Sequence, residues 1–352
     1  MQRVTVRILH PAPNSVAGAL SRALAAACAA NAGRLARLFD AAGADDVAIV
    51  EGQPDGRSFG GRLRDLVADL PVAADGGRGG LVVLGSGALP LATRSYVARL
   101  IAVARSGERR ALANSFYSAD AVAIGRATDL QNVPALSTDN ALPRWLREVA
   151  GYVIEDDGRR WRLAVDLDSP LDVVLVDERA VADLPATAIR ERLQRIRAVA
   201  ADPTAELVIA GRTNAATLRW LERWTASRTR ALVEERGLRS IGLAEQVRGP
   251  RSTLGLVLDD RGPQALGTIL AELGDAAIVD TRVLLAHRLG ADERTWPAAE
   301  DRFASDLLLP DLVGDPWLRD LTASALEATI PTLLGGHTLV GPGVRLALRG
   351  ER

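Results

Sequence analysis

The chain contains no lysine, a single cysteine and few aromatic residues. All 43 basic residues among the 352 are therefore arginines. The lack of lysine excludes Schiff-base chemistry and the lysine-containing phosphate loop of P-loop NTPases. One thiol, Cys28, can form neither an internal disulfide nor a cysteine-based metal site. Any phosphate that a cationic side chain holds must therefore bind an arginine or one of the three histidines.

The chain also lacks long apolar runs and a strong net charge. The formal net charge is -1, so no overall field attracts nucleic acid or an anionic membrane. No apolar run approaches the roughly 20 residues that a bilayer span needs. The N-terminal stretch "MQRVTVRILH" does not have the pattern of a secretory signal. We therefore expect a cytoplasmic protein with no nucleic-acid and no membrane partner, and a homodimer stays open.

Short apolar runs alternate with longer helical stretches through the first half of the chain. The runs "VTVRIL", "DVAIVEG" and "GLVVLGSG" predict strands, and a helix is expected over about Ser15 to Ala42. This alternation is typical of an α/β fold with a mostly parallel, doubly wound sheet that is covered on both faces. Ligands of such sheets bind beyond the carboxyl ends of the strands.

The strand–helix pattern starts again after about Asp202. The stretches "AELVIAGRTNAATLRWLERW" and "STLGLVLDDRGPQALGTILAEL" each predict a strand, a turn and a helix. Helices are expected over about 298–309 and 315–329, and the final "LLGGHTLVGPGVRLAL" predicts strand, loop, strand. Because 200–204 has turn chemistry, we divide the chain into a first α/β domain, 1–201, and a second one, 202–352, whose role the sequence does not reveal.

Three aspartates accompany the apolar run "VDLDSPLDVVLV". We expect a strand over 163–168 with Asp166 and Asp168 on one face, followed by a helix that Ser169 or Asp168 caps. Buried carboxylates need a cation, a backbone donor or water. A bound Mg²⁺ would serve, since it takes one or two protein carboxylates together with phosphate oxygens. Helix capping without a metal is the alternative.

The segment "DLDSPLD" resembles the Asp-Ile-Asp-Thr-Pro-x-Asp motif of nucleotidyltransferases of the glycosyltransferase-A-like fold, such as molybdenum cofactor guanylyltransferase and 2-phospho-L-lactate guanylyltransferase. The segments "LFDAAGADDVAIVEG" and "LVVLGSGALPLAT" are similar to family segments in the same order. The resemblance covers about residues 1–200. It implies Mg²⁺-dependent nucleotidyl transfer, with Asp168 as catalytic metal ligand, Asp166 in support, and a nucleotide or small phosphorylated metabolite as ligand. It also places Ser86 and Gly87 in the substrate loop.

Two departures from the family pattern leave enzymatic activity open. The first loop, "HPAPNSVAGAL", has two prolines where the family has a glycine-rich phosphate loop with a basic residue, and proline lacks a backbone donor. Gly87 stands where the family's Gly-x-Asp-x-Pro loop has a metal-binding aspartate. Phosphoryl transfer depends largely on positioning and charge neutralisation. A catalytically inactive scaffold or partner-binding protein on the same fold is therefore an alternative to the enzyme.

Polar side chains in two further segments are candidates for substrate binding. The segments "NSFYSAD" and "STDNALPRW" lie beside predicted strand ends, and turn or capping chemistry is the alternative for both. The candidate substrate-binding residues are Asn114, Tyr117, Ser118, Asp120, Asp139 and Asn140.

The second half of the chain offers two weaker candidates. Asp280, His287 and His337 could form a hydrolase or lyase site, although His287 among leucines is typical of a satisfied core residue. Arg212 at a predicted helix start would suit an anion.

Overall fold

The computed structural model describes residues 2–12, 15–52, 56–72, 76–158, 160–177, 186–235 and 249–349. Within these ranges the chain is an α/β protein with two mostly parallel sheets, which confirms the predicted class. Its contacts define two compact units. Unit 1 holds the described residues of 2–12 and 25–166, and unit 2 holds those of 15–24, 167–235 and 249–349. The division into domains at 201/202 stays a prediction.

Unit 1 contains a six-stranded sheet. Its strands are β1 (Val4–Pro11), β2 (Asp46–Gly52), β3 (Gly80–Gly85), β4 (Arg110–Ala113), β5 (Ala121–Ile124) and β6 (Val153–Asp156). They lie in the order β2-β1-β3-β5-β4-β6, and β5 alone runs antiparallel to its neighbours. The accompanying helices are α1 (Ala19–Ala41), α2 (Phe59–Ala68), α3 (Arg94–Ala104) and α4 (Leu142–Glu148). The first turns of α1 belong to unit 2.

Both faces of this sheet are buried, as the continuous apolar run of β3 predicts. Val82 and Leu84 pack on one face with residues of α1 and α3, whereas Leu81 and Val83 pack on the other with residues of α2 and α4. This division follows from the two-residue period of a strand, which sends successive side chains to opposite faces. Because the helices cover both faces, the ends of the strands are the part of the sheet that a ligand can reach.

Unit 2 contains a four-stranded, all-parallel sheet in the order β10-β9-β7-β8. Its strands are β7 (Glu206–Gly211), β8 (Arg228–Val233), β9 (Ala276–Asp280) and β10 (Thr332–Gly335). Its helices are α5 (Pro170–Val176), α6 (Thr187–Ala201), α7 (Ala215–Trp224), α8 (Thr253–Arg261), α9 (Leu266–Leu273), α10 (Thr281–Leu289), α11 (Ala299–Asp306), α12 (Pro316–Glu327), α13 (His337–Val340) and α14 (Val344–Arg349). The helices expected over 298–309 and 315–329 are present as α11 and α12.

Three predicted strands are wrong. The strand expected at the start of "STLGLVLDD" is the helix α8, which Ser252 caps through its side chain. No strand covers 163–168, where Asp166 makes only an isolated antiparallel bridge with Ala88. The chain turns there because Ser169 and Pro170 start a helix. The second strand expected at the C-terminal end is instead the helix α14, which packs against α6 and buries Val344 and Ala347, three residues apart.

Replacing Phe39 tests the packing of α1 on the sheet. Its side chain is fully buried, so Phe39→Ala should lower the free energy of unfolding by about 3–5 kcal/mol through lost burial and a residual cavity. Val149, which is 72% exposed, is the control, and Val149→Ala should change stability by less than about 0.5 kcal/mol. Urea unfolding followed by circular dichroism measures both, and equal losses would contradict the described core.

Candidate functional site

The winding of unit 1 reverses at the carboxyl ends of β1 and β3. From β1 the chain passes through α1 to β2 on one side, and then through α2 to β3 on the other side of β1. Such a reversal opens a crevice between the two strand ends, where ligands of open α/β sheets bind. Ser86 directly follows β3, and its backbone N–H donates to the carbonyl of Leu9 (2.8 Å), which continues the pairing of β3 with β1.

Ser86 and His10 are polar residues that meet at the ends of β1 and β3. The Ser86 hydroxyl lies 3.0 Å from His10 Nδ1, and Ser86 is 4% exposed while His10 is half-buried. The arrangement joins the ends of β1 and β3 through side chains that can both exchange hydrogen bonds with a ligand. Ser86 was a predicted substrate residue, whereas His10 was not.

Gly85, the last residue of β3, has open space beside its backbone. A side-chain carbon placed on Gly85 would have no atom within 4 Å, and its backbone lies outside the left-handed region. Conformation therefore does not require glycine here. A glycine at a strand end with free space beside it lets a ligand approach the backbone closely. Gly87, the other predicted residue of this loop, is half-buried in the following turn.

Side chains from α1 hold the Ser86 loop in place. Asn31 Nδ2 donates to the carbonyls of Ser86 (2.8 Å) and Ala88 (2.9 Å). Arg34 in turn donates to Asn31 Oδ1 and to the carbonyl of Leu89. Leu89 has a positive φ of 55°, a costly conformation for leucine that persists only where surrounding contacts enforce it. These contacts hold the Ser86 loop in one conformation at the end of β3.

Asn114 joins β4, β5 and the segment before Asp166. Its Oδ1 accepts from the backbone N–H groups of Asp120 (3.0 Å) and Ala121 (3.1 Å). Its Nδ2 donates to the Leu163 carbonyl (2.9 Å) and to Asp120 Oδ2 (3.2 Å). Asn114 is 1% exposed, so these partners satisfy it and its role is to position neighbours. Among them is Asp120, whose carbonyl accepts from Gly85 N–H beside the crevice (3.1 Å).

The structure brings the two predicted polar segments together. Asn140 Oδ1 accepts from the Ala119 N–H (2.8 Å), and Asp139 Oδ1 accepts from the Asn140 N–H (2.9 Å). Ser118 donates its backbone N–H to Ser115 Oγ. Tyr117 is 63% exposed, with its ring edge-on to Phe116 at 4.9 Å. The hydrogen bonds of Asp139, Asn140 and Ser118 stabilise turns, and the exposed ring of Tyr117 is the one that a ligand could stack on.

The aspartates of the "DLDSPLD" segment do not lie side by side on a strand. Asp166 belongs to unit 1, where its bridge to Ala88 places it beside the Ser86 loop, whereas Asp168 and Asp172 belong to unit 2. Asp172 Oδ2 accepts from the Ser169 hydroxyl (2.9 Å) and from the Asp168 N–H (3.1 Å). The Ser169 hydroxyl accepts from the Asp172 N–H at the start of α5. The predicted capping by Ser169 is confirmed, and it engages Asp172.

The residues of this segment do not form a metal centre by themselves. Across the described ranges, no three or more His, Cys, Asp or Glu side chains are grouped so that they could hold a metal ion. The buried carboxylate, Asp172, is bound by protein donors, and Asp168 is exposed. We therefore derive no metal-dependent step, and Mg²⁺ on Asp168 stays a prediction.

His287 does not face a ligand. It is 7% exposed, its Nδ1 accepts from the Ser252 N–H (3.1 Å), and its Nε2 lies 2.9 Å from Asp259 Oδ2. Because Nδ1 accepts, Nε2 carries the proton and donates to Asp259. Both nitrogens are thus engaged in packing α8 against α10, as expected of a satisfied core histidine.

Comparison with known proteins identifies no relative: no family model, curated protein or solved structure matches this chain. In the part of the chain that the structure describes, none of the helices combines the length and the apolar character that a membrane crossing requires.

Separate substitutions of Asp172 and Asp168 compare what each side chain contributes to stability. Asp172→Ala removes a buried acceptor and leaves the Ser169 hydroxyl and Asp168 N–H without it, so the free energy of unfolding should fall by about 1–3 kcal/mol. Asp168→Ala alters an exposed side chain and should change it by less than about 0.5 kcal/mol. Urea titration measures both. A larger loss for Asp168→Ala than for Asp172→Ala would refute the capping assignment.

Proposed function

We propose that unit 1 binds a nucleotide or a small phosphorylated metabolite in the crevice at the carboxyl ends of β1 and β3. The observation that carries the proposal is the open space beside Gly85, at the point where the winding reverses, next to the Ser86–His10 pair. A phosphoryl group needs hydrogen-bond donors that point into such a space. The His10 ring offers one such donor at Nε2, and the Ser86 hydroxyl offers a second when Nδ1 donates to Ser86 Oγ.

The composition of the chain supports the same role for His10. With no lysine anywhere and no arginine in the proline-containing first loop, His10 is the residue at the end of β1 that can carry positive charge. One ring nitrogen faces Ser86, and the other can donate to a phosphate oxygen. Side chains would thus replace the backbone donors that the prolines remove.

Nucleotidyl transfer is the more specific form of this proposal. It is supported by the resemblance of "DLDSPLD" to the nucleotidyltransferase motif and by a mostly parallel sheet whose crevice adjoins the Ser86 loop. Asp166 and Asp120 would be the carboxylates nearest the ligand in unit 1. The resemblance assigns a Mg²⁺ to Asp168, which belongs to unit 2. Gly87, which offers no carboxylate, instead favours binding without transfer, the function of a scaffold on this fold. A cytoplasmic location suits either form.

Thermal unfolding with GTP, CTP and UTP tests the binding. At least one nucleotide should raise the Tm, since a ligand at about 100 times its Kd stabilises the native state by about 2.7 kcal/mol. Gly85→Leu should abolish the shift by occupying the space beside Gly85, where a side-chain carbon meets no atom within 4 Å. Gly52→Leu is the matched control, because a side-chain carbon at Gly52, the end of β2, also has no atom within 4 Å.

No shift with any nucleotide, with or without Mg²⁺, would overturn the proposal, as would an undiminished shift in Gly85→Leu. Metal binding is tested by the difference between the Tm shifts that a nucleotide causes with and without Mg²⁺. Asp168→Ala should remove this Mg²⁺-dependent difference. Asp177 is also exposed and follows the end of α5, and Asp177→Ala should leave the difference intact.

A further inference from the structure

The all-parallel sheet of unit 2 has its own reversal of winding. The chain leaves β7 for β8 on one side, and β9 then lies on the other side of β7. A second crevice is therefore expected between the ends of β7 and β9. These ends approach each other closely. A side-chain carbon added at Gly211 would lie only 2.2 Å from the Cβ of Asp280. Gly211 also has φ of 129°, so glycine is required there.

Asp280 orients an arginine at this point. Its side chain is fully buried and accepts from Arg212 Nε (2.7 Å) and Nη2 (3.1 Å), and from the Arg282 N–H (3.1 Å). Burial acts to raise the pKa of Asp280, but the charge and hydrogen bonds of Arg212, assisted by Arg282, hold it below its ordinary value. Asp280 is therefore ionised, and it fixes the plane of the Arg212 guanidinium.

A second buried arginine lies beside the first. Arg282 is 8% exposed and pairs with the fully buried Asp306, with Nη2 2.7 Å from Oδ2. Burial opposes its charge, yet Asp306 raises the pKa of Arg282 above its ordinary value. Each arginine thus has one carboxylate that locks its orientation.

Three polar groups at this edge lack an acceptor. Over the ranges that the structure describes, Arg282 Nε and Arg212 Nη1 have no hydrogen-bond partner. The hydroxyl of Thr213, a fully buried residue directly after Arg212, also has none in the same ranges. For the buried Thr213 hydroxyl, the missing partner costs about 1–3 kcal/mol. An anion at this end of the sheet would supply the acceptors that the two guanidinium nitrogens lack.

Space for such an acceptor lies beside Gly336. A side-chain carbon there would approach only Arg282, at 3.7 Å from Nε and 4.0 Å from Cζ. Arg212, Gly336 and His337 are half-buried, so this edge reaches solvent. The helices α7 and α10, of 10 and 9 residues, begin here and add the partial positive charge of their N-termini.

We propose that this edge of unit 2 binds a phosphoryl group between Arg212 and Arg282, beside Gly336. A tetrahedral oxyanion presents acceptors in several directions, which suits donors that come from two strand ends, and the guanidinium group matches phosphate geometry. The site is separate from the crevice at β1 and β3 and does not depend on it.

Titration with inorganic phosphate at constant ionic strength tests this site. The full-length protein should show a saturable rise in Tm that sodium chloride does not reproduce. Gly336→Val places methyl groups in the space beside Arg282 Nε without a backbone penalty, and it should weaken phosphate binding at least tenfold. Gly249→Val is the matched control, since a side-chain carbon at Gly249 has no atom within 4 Å, and it should bind phosphate as the parent does.

Phosphate binding in unit 1 is separated from this site by Gly85→Leu. A shift that survives in Gly85→Leu and disappears in Gly336→Val supports the unit 2 site, whatever becomes of the nucleotide proposal. The reverse pattern, or no phosphate shift at all, overturns it. A shift of equal size with acetate would overturn the assignment to a phosphoryl group in favour of a carboxylate.

Discussion

The structure depends on a constraint of parallel sheets, in which a change of winding direction leaves the ends of two neighbouring strands uncovered. The helices that connect parallel strands cover the faces of the sheet, so the strand ends are where polar groups can meet a ligand. Both units have this reversal, between β1 and β3 in one and between β7 and β9 in the other. The two proposed sites lie at these places, with Ser86 and His10 at the first and Arg212, Asp280 and Arg282 at the second.

Many of the conspicuous polar side chains stabilise loops. Asn114 satisfies backbone groups of β5 and the Leu163 carbonyl, and Asn31 holds the carbonyls of Ser86 and Ala88. Asp172 accepts from the Asp168 N–H before the start of α5. Buried polar groups of this kind must be hydrogen-bonded, and here the partners are main-chain atoms of neighbouring segments. On the proposed function their effect is indirect, because they fix the loops that carry Ser86, His10 and Gly85.

The sequence predicted the class of fold and most elements because local patterns determine them. The apolar run of β3 and the spacing of α1 need no long-range information, whereas 163–168 combined an apolar run with a Ser-Pro helix start, and the helix start prevailed. The site was harder to predict. Ser86 and Gly87 could be proposed from their place after a strand. His10 became a candidate only through its contact with Ser86, 76 residues away. Likewise, Asn114 resembles a ligand contact until its four protein partners are known.

Amide hydrogen exchange with and without a saturating nucleotide tests the central claim most directly, because it locates the ligand. The account predicts slower exchange at the backbone N–H groups of 9–10 and 85–88, around the ends of β1 and β3, with little change at the far end of the same sheet. Protection that appears only outside these segments, or none under conditions where the nucleotide binds, would contradict it.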